Sequence, residues 1–188
     1  MSRRIVLSAA FALSLAAVQL ATIRLSPSDV PVRIVLPATI ALAPLALWPH
    51  RAHLGVWVMF VGLAANLAAI AANGGLMPIE RDTVAQAVGV ERAAAYADGA
   101  WIEGSKDRLV APGDGRALAL GDAIVVPVGG GGLVVSAGDI VIGAGLVFLA
   151  AEAAALAWLR PRRPQRVDPT RVRAYFTARA GDSAPTPQ

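Results

Sequence analysis

The chain has 188 residues, of which 56% are hydrophobic and only 16% charged, with a net charge of +4, no cysteine and two histidines. Its mean hydropathy of +0.58 and its pI near 10.6, set against the roughly 25% charged residues of ordinary soluble domains, exclude a disordered chain and place much of the apolar surface against lipid. The lack of cysteine excludes a disulfide framework, a thiolate nucleophile, an iron–sulfur cluster and a cysteine zinc site, and it leaves the redox compartment open.

Residues 5–23 carry no charge and follow the basic flank Ser2-Arg3-Arg4. At ~1.5 Å per residue they nearly cross a hydrocarbon core ~30 Å thick. The segment looks like a secretory signal, yet Ala21-Thr22-Ile23 offers no clear small-x-small cleavage site and a second apolar segment follows within ten residues, so an uncleaved anchor is expected. That second span, residues 30–48, contains Pro37 and Pro44, which remove backbone donors and should bend it. Arg33 lies close enough to its end to snorkel. The third span, residues 54–73, stops at Asn73-Gly74-Gly75 with Pro78 soon after.

Residues 84–96 read as one or two short amphipathic helices lying over the outer end of the bundle, with Trp101 and Ile102 anchoring that lid to the headgroups. The apolar run 118–128 is too short to span and is therefore re-entrant, interfacial or a strand. With residues 129–132 as a glycine turn, residues 123–128 and 133–135 can pair as a short hairpin. The fourth span, residues 138–159, ends at the stop-transfer cluster Arg160, Arg162 and Arg163. The expected fold class is thus an all-α integral membrane protein of four transmembrane helices, with a long extracytoplasmic loop (74–137) that includes a short hairpin or re-entrant segment. Residues 1–159 form the membrane domain, and residues 160–188 a basic, partly disordered cytoplasmic tail.

Charge distribution sets the expected orientation. With the amino terminus inside, the cytoplasmic segments hold ten bases and two acids, whereas the opposite side holds seven bases and ten acids. The positive-inside rule then favours a multi-pass protein of the bacterial plasma membrane with both termini cytoplasmic. Trp48, Trp57 and Trp158 would lie at the cytoplasmic interface, where an amphipathic indole is favoured. The tail carries seven arginines and two acids, and each base near an anionic leaflet is worth ~1 kcal/mol. The expected partners are therefore the lipid bilayer, anionic headgroups at the tail and a membrane protein, with no nucleic acid. Residues 168–179 can form a short interfacial helix, and residues 180–188 should be disordered.

Small residues recur at the spacing that lets helices approach closely in lipid: Gly62-x-x-x-Asn66, Ala64-x-x-x-Ala68-x-x-x-Ala72, Ala12-x-x-x-Ala16 and Ala151-x-x-x-Ala155. Glu152 is the costly residue. It sits eight residues before Arg160, roughly 12 Å along the helix, where a bare charge costs at least ~2.5 kcal/mol. Either it faces the bundle near Ser14 and Gly62, or it snorkels to the interface or toward Arg160.

The loop carries four motifs in order: Asn73-Gly74-Gly75-Leu76-Met77-Pro78, Gly104-Ser105-Lys106-Asp107, Leu120-Gly121-Asp122, and Ser136-Ala137-Gly138-Asp139. Over roughly residues 55–150 this order resembles the bacterial membrane proteins grouped as domain of unknown function 5317. The resemblance implies an integral membrane protein and supplies no activity, cofactor or metal. The chain departs from the family pattern in placing Pro127 five residues after Asp122, and in carrying glycines and Leu133-Val134-Val135 where an aromatic is usual.

Local geometry accounts for part of this pattern. Asn73-Gly74-Gly75 caps a helix, and Ser136-x-x-Asp139 is a capping box that places a carboxylate at a helix amino terminus. Asp122, interrupting an apolar run, would sit near Asp139 at the outer surface. Two such carboxylates sharing a proton could act as acid and base in a membrane-embedded aspartyl hydrolase, the reading next in line. A Ser105–Lys106 nucleophile pair is disfavoured, because adjacent loop residues do not point at one another. His50 and His53 lack a neighbouring acid for a metal site, and no phosphate-loop or dinucleotide motif is present. The first expectation is a structural or interaction component of a membrane complex. A small-molecule or ion carrier using Glu152 comes third.

Overall fold

The computed structural model describes residues 3–111, 115–129, 131–159 and Thr170. Two compact units divide the chain, residues 1–154 and 155–188. Of the second, the described part is the last turn of a helix and Thr170, which is helical and exposed. The remaining expectations for the tail lie outside the described residues.

Among the described residues, four helices are long and apolar enough to cross a membrane. They are α1 (Arg3–Leu25), α2 (Asp29–Leu47), α3 (Leu54–Ala72) and the last helix, α6 (Ala137–Leu159). Each contains the segment expected to span, apart from Trp48 at the end of the second and Asn73 at the end of the third. Pro37 and Pro44 lie inside α2, and a 3-10 turn over Trp48–His50 leads out of it.

The segment between α3 and α6 corrects the all-α expectation. It builds a four-stranded sheet from β1 (Met77–Glu80), β2 (Asp107–Val110), β3 (Asp122–Val128) and β4 (Gly131–Ser136), in the order β2-β1-β3-β4. Strand β1 pairs in parallel with β2, from Met77↔Asp107 to Glu80↔Val110, and with β3 through Ile79↔Asp122. Strands β3 and β4 form the expected hairpin, antiparallel from Asp122↔Ser136 to Val128↔Gly131. Four-residue strands such as Met77-Pro78-Ile79-Glu80 are too short to show a period-2 pattern, and parallel partners lie far apart in sequence. Only the hairpin carries a local signal. Two short helices follow β1, α4 (Arg81–Val88) and α5 (Val90–Ala94), where the amphipathic helices were expected. They cover the sheet: Val84 and Ala93 are buried with Ile79 and Leu109, and Val134 packs against that cluster.

A second cluster joins sheet to helices. Val32 and Leu36 of α2, Ala69 and Ile70 of α3, and Leu76 and Met77 leading into β1 are all buried together. Trp101 packs against this cluster and Ile102 against the other. The Trp101 indole donates to the Ser105 carbonyl at 2.8 Å. Arg33 is partly exposed and reaches toward the start of α2. It pairs with Asp29 at 2.6 Å and donates to the Gly74 carbonyl at 3.0 Å. Gly74 and Gly75 have φ of 73° and 92°, a region that favours glycine, and a Cβ on Gly75 would approach the Arg33 carbonyl oxygen to 2.5 Å. The α3 stop therefore also docks α2.

Helices α3 and α6 meet through glycines spaced by seven. A Cβ on Gly55 would lie 2.5 Å from the Gly145 carbonyl oxygen, and one on Gly62 would lie 2.6 Å from that of Gly138. This antiparallel seam uses Gly62 and Asn66, as their spacing allowed. By contrast, Ala12, Ala16, Ala64, Ala68, Ala72, Ala151 and Ala155 are all exposed. The same register corrects the depth of Glu152. Gly62 is level with Gly138, 14 residues away from Glu152 or roughly 21 Å along α6.

Candidate functional site

The four loop motifs converge where the sheet meets α3 and α6. Lys106, just before β2, places Nζ 2.8 Å from each carboxylate oxygen of Asp122 at the start of β3. The same ammonium lies 3.7 Å from Asp139 Oδ2, so one cation holds both aspartates that the sequence singled out. Asp122 is essentially closed to solvent, with its side chain 1% exposed.

Asp139 is held from the other side. Ser136 and Asp139 form the expected capping box: the Ser136 amide donates to Asp139 Oδ2 at 3.1 Å, and the Asp139 amide donates to Ser136 Oγ at 3.0 Å. Asn66 on α3 completes the network. Its Nδ2 donates to Asp139 Oδ1 at 2.7 Å, while its Oδ1 accepts from Ser136 Oγ at 2.8 Å. Two strands, two helices and the loop before β2 are thereby joined by directional bonds.

Burial alone would lower the pKa of Lys106, but Asp122, together with Asp107 and Asp139, outweighs it and raises the ammonium above its ordinary value. Asp107 is affected in the opposite sense. Burial first, and then the negative charge of Asp122, push its carboxyl from 3.8 up to about 8, against the lowering effect of Lys106. Its Oδ1 is buried and has no hydrogen-bond partner among the described residues.

The remaining motif residues are structural. Asn73 Nδ2 donates to the Ala69 carbonyl at 2.8 Å and the Arg116 carbonyl at 2.6 Å, closing α3. Met77 and Pro78 are buried in β1. Gly121 is buried, and a Cβ there would meet the Pro78 carbonyl oxygen at 2.6 Å; Gly138 packs against Asn66. Ser105 Oγ donates to the Ile102 carbonyl at 2.7 Å and accepts from the Asp107 amide at 3.0 Å, while Lys106 is turned to Asp122. Serine and lysine are therefore not aimed at one another.

Glu152 lies at the other end of the α3–α6 pair. Its Oε1 accepts the Leu54 amide at 2.9 Å, a bond to the first residue of α3, and Oε2 lies 3.4 Å from His53 Nδ1. It caps a helix that lacks a capping side chain of its own. Trp48 and Trp57 are nearby in the chain and both contact Phe60, with Arg51 over the Trp48 ring at 5.0 Å.

Asn66 and Asp107 were not among the sequence candidates. An amide inside an apolar helix is costly unless paired, and that was the available signal for Asn66. Asp107 stood beside Ser105-Lys106, but nothing local shows that it becomes buried.

No curated protein and no solved structure matches this chain. A family model described as a family of unknown function (DUF5317) matches residues 2–151. The matched stretch contains all four helices as far as the Glu152 turn and every residue of the polar network, and the chain belongs to that family.

Proposed function

We propose that the protein is a scaffold in the bacterial plasma membrane, a structural or interaction component of a membrane complex. In this reading it presents a rigid sheet domain outside and keeps both termini in the cytoplasm. One observation carries it: five polar side chains at the junction of sheet and helices pair with one another. Lys106, Asp122, Asp139, Ser136 and Asn66 form a network that fixes sheet to helices, and no bond in it points toward a substrate. Hydrolysis by Asp122 and Asp139 would need a water between carboxylates, one of which is 1% exposed. A carrier role for Glu152 would need it released from the cap it forms on Leu54.

Meanwhile one face of the hairpin is apolar and open. Ile124, Val126, Val128 and Leu133 are exposed by 40–59%, whereas Val134 and Gly132 on the other face meet the α4–α5 side. A partner membrane protein covers this face, and the basic tail rests on anionic headgroups.

Co-purification of the full chain in a gentle detergent tests the reading. A membrane protein in stoichiometric amount is expected, reduced by the pair Val126→Asp and Leu133→Asp. Recovery of the chain alone from intact membranes would sink it. Because the chain has no cysteine, orientation can be read cleanly from single replacements. A membrane-impermeant maleimide should label Glu103→Cys in intact cells and leave Ser183→Cys unlabelled; the reverse pattern would overturn the topology.

A further inference from the structure

Between α4–α5 and the sheet lies a cleft of about 240 Å³, walled by Ile79, Val84, Ile102 and Val134, with Ser105 and Asp107 at its polar end and Arg92 among its lining residues. An apolar cavity of about 150 Å³ already accommodates benzene, so this one has room for an aliphatic chain of about six carbons. The polar end is unusual because Asp107 Oδ1 is buried with no hydrogen-bond partner among the described residues. A buried polar atom left unpaired costs about 1–3 kcal/mol, and a ligand that supplies the missing donor recovers it.

Charge narrows the ligand further. Lys106 behind the carboxyl is already paired with Asp122 and Asp139, while Arg92 lines the cleft beside an Asp107 that holds its proton, so an alkylammonium would meet a cation and no free carboxylate. A carboxylate would bring acceptor oxygens to a site whose free atom is itself an acceptor. A neutral hydroxyl supplies one donor and no charge.

We propose that this cleft binds a neutral aliphatic alcohol, its chain along Ile79, Val84 and Val134 and its hydroxyl donating to the Asp107 carboxyl. The proton that Asp107 retains up to about pH 8 can be shared with Asp122, leaving the second carboxyl oxygen for the ligand. The site is independent of the scaffold reading: a protein alone in the membrane could bind the alcohol, and a scaffold could lack it.

The test uses the full chain in lipid nanodiscs with labelled Ile, Leu and Val methyl groups, titrated at neutral pH with 1-hexanol, hexylamine and hexanoate. Hexanol should shift the Ile79, Val84, Ile102 and Val134 methyls saturably, and the two charged probes should bind about tenfold more weakly or worse, the equivalent of one hydrogen bond lost. Val134→Phe, which fills the cleft, and Asp107→Leu, which removes the acceptor, should each abolish saturation. Shifts that grow linearly and fall equally on α1 methyls would mean bilayer partitioning and overturn the proposal. Equal affinity for all three probes, or unchanged affinity in Asp107→Leu, would also overturn it. Should either variant fail to fold, the probe comparison on the wild-type chain still decides.

Discussion

The α3–α6 pair is pinned by an α6 carboxylate near each end, and the two pins are built differently. At the sheet end Asp139 accepts from Asn66 and from the Ser136 amide and lies beside Lys106, so its two oxygens are held from three directions. At the other end Glu152 makes one bond to the Leu54 amide and faces His53 at 3.4 Å, with both side chains about 30% exposed. The first is a network in which each group depends on the others, and removal of one member leaves buried Asp122, Ser136 or Asn66 short of a partner, although Asp139 itself is 36% exposed. The second is a single cap, with the other Glu152 oxygen left without a hydrogen-bond partner among the described residues. Carboxylate burial alone does not distinguish a lock from a cap; the number of converging donors does.

The comparison can be broken most forcefully at Lys106. Lys106→Met leaves Asp122 buried without its cation, and a loss of about 3–5 kcal/mol is expected in denaturant unfolding of the purified protein. A loss under about 1 kcal/mol would show that the network is not the lock. Asn66→Ala removes two bonds and leaves Ser136 Oγ and Asp139 Oδ1 each short of a partner, costing about 1–3 kcal/mol by the same measurement.

A pH series sharpens the same point. Folded Asp107 holds its proton to about pH 8, whereas the ordinary value is 3.8. The folded state thus binds more protons across that window, and stability should fall as pH rises from about 4 through 8, levelling above it. Asp107→Asn should flatten that slope, as followed by melting temperature against pH; an unchanged slope would remove Asp107 as its source. The smallest effect belongs to the other pin. Glu152→Gln keeps an acceptor for the Leu54 amide and removes only the half-exposed pair with His53, so a change below about 1 kcal/mol is expected. A loss matching that of Lys106→Met would make the two ends equivalent.

Much of this was legible before any coordinates. The four spans, the hairpin, the paired amphipathic helices and the capping box all rest on local signals: uninterrupted apolar length, glycine turns, helical periodicity, and a Ser and an Asp three residues apart. Strands β1 and β2 were not legible, because each is four residues long and its pairing is parallel and distant. The glycine seam was legible only in part: the Gly62-x-x-x-Asn66 spacing stood out, but Gly55, Gly138 and Gly145 are ordinary glycines until α3 and α6 are set side by side, whereas the more conspicuous alanine rows face outward.

The candidate site divides along the same line. Composition and apolar run length alone predict four helices long and apolar enough to cross a membrane, because the cost of a charge in hydrocarbon falls residue by residue. The order of motifs establishes the family. Which charges neutralise one another depends on a few ångströms between segments dozens of residues apart. Thus Lys106 joins Asp122 to Asp139, Asn66 closes the network, Glu152 leaves Gly62 for the start of α3, and Asp107 is left holding a proton. Coulomb and hydrogen-bond energies vary steeply with distance and burial, and the packed fold alone supplies both.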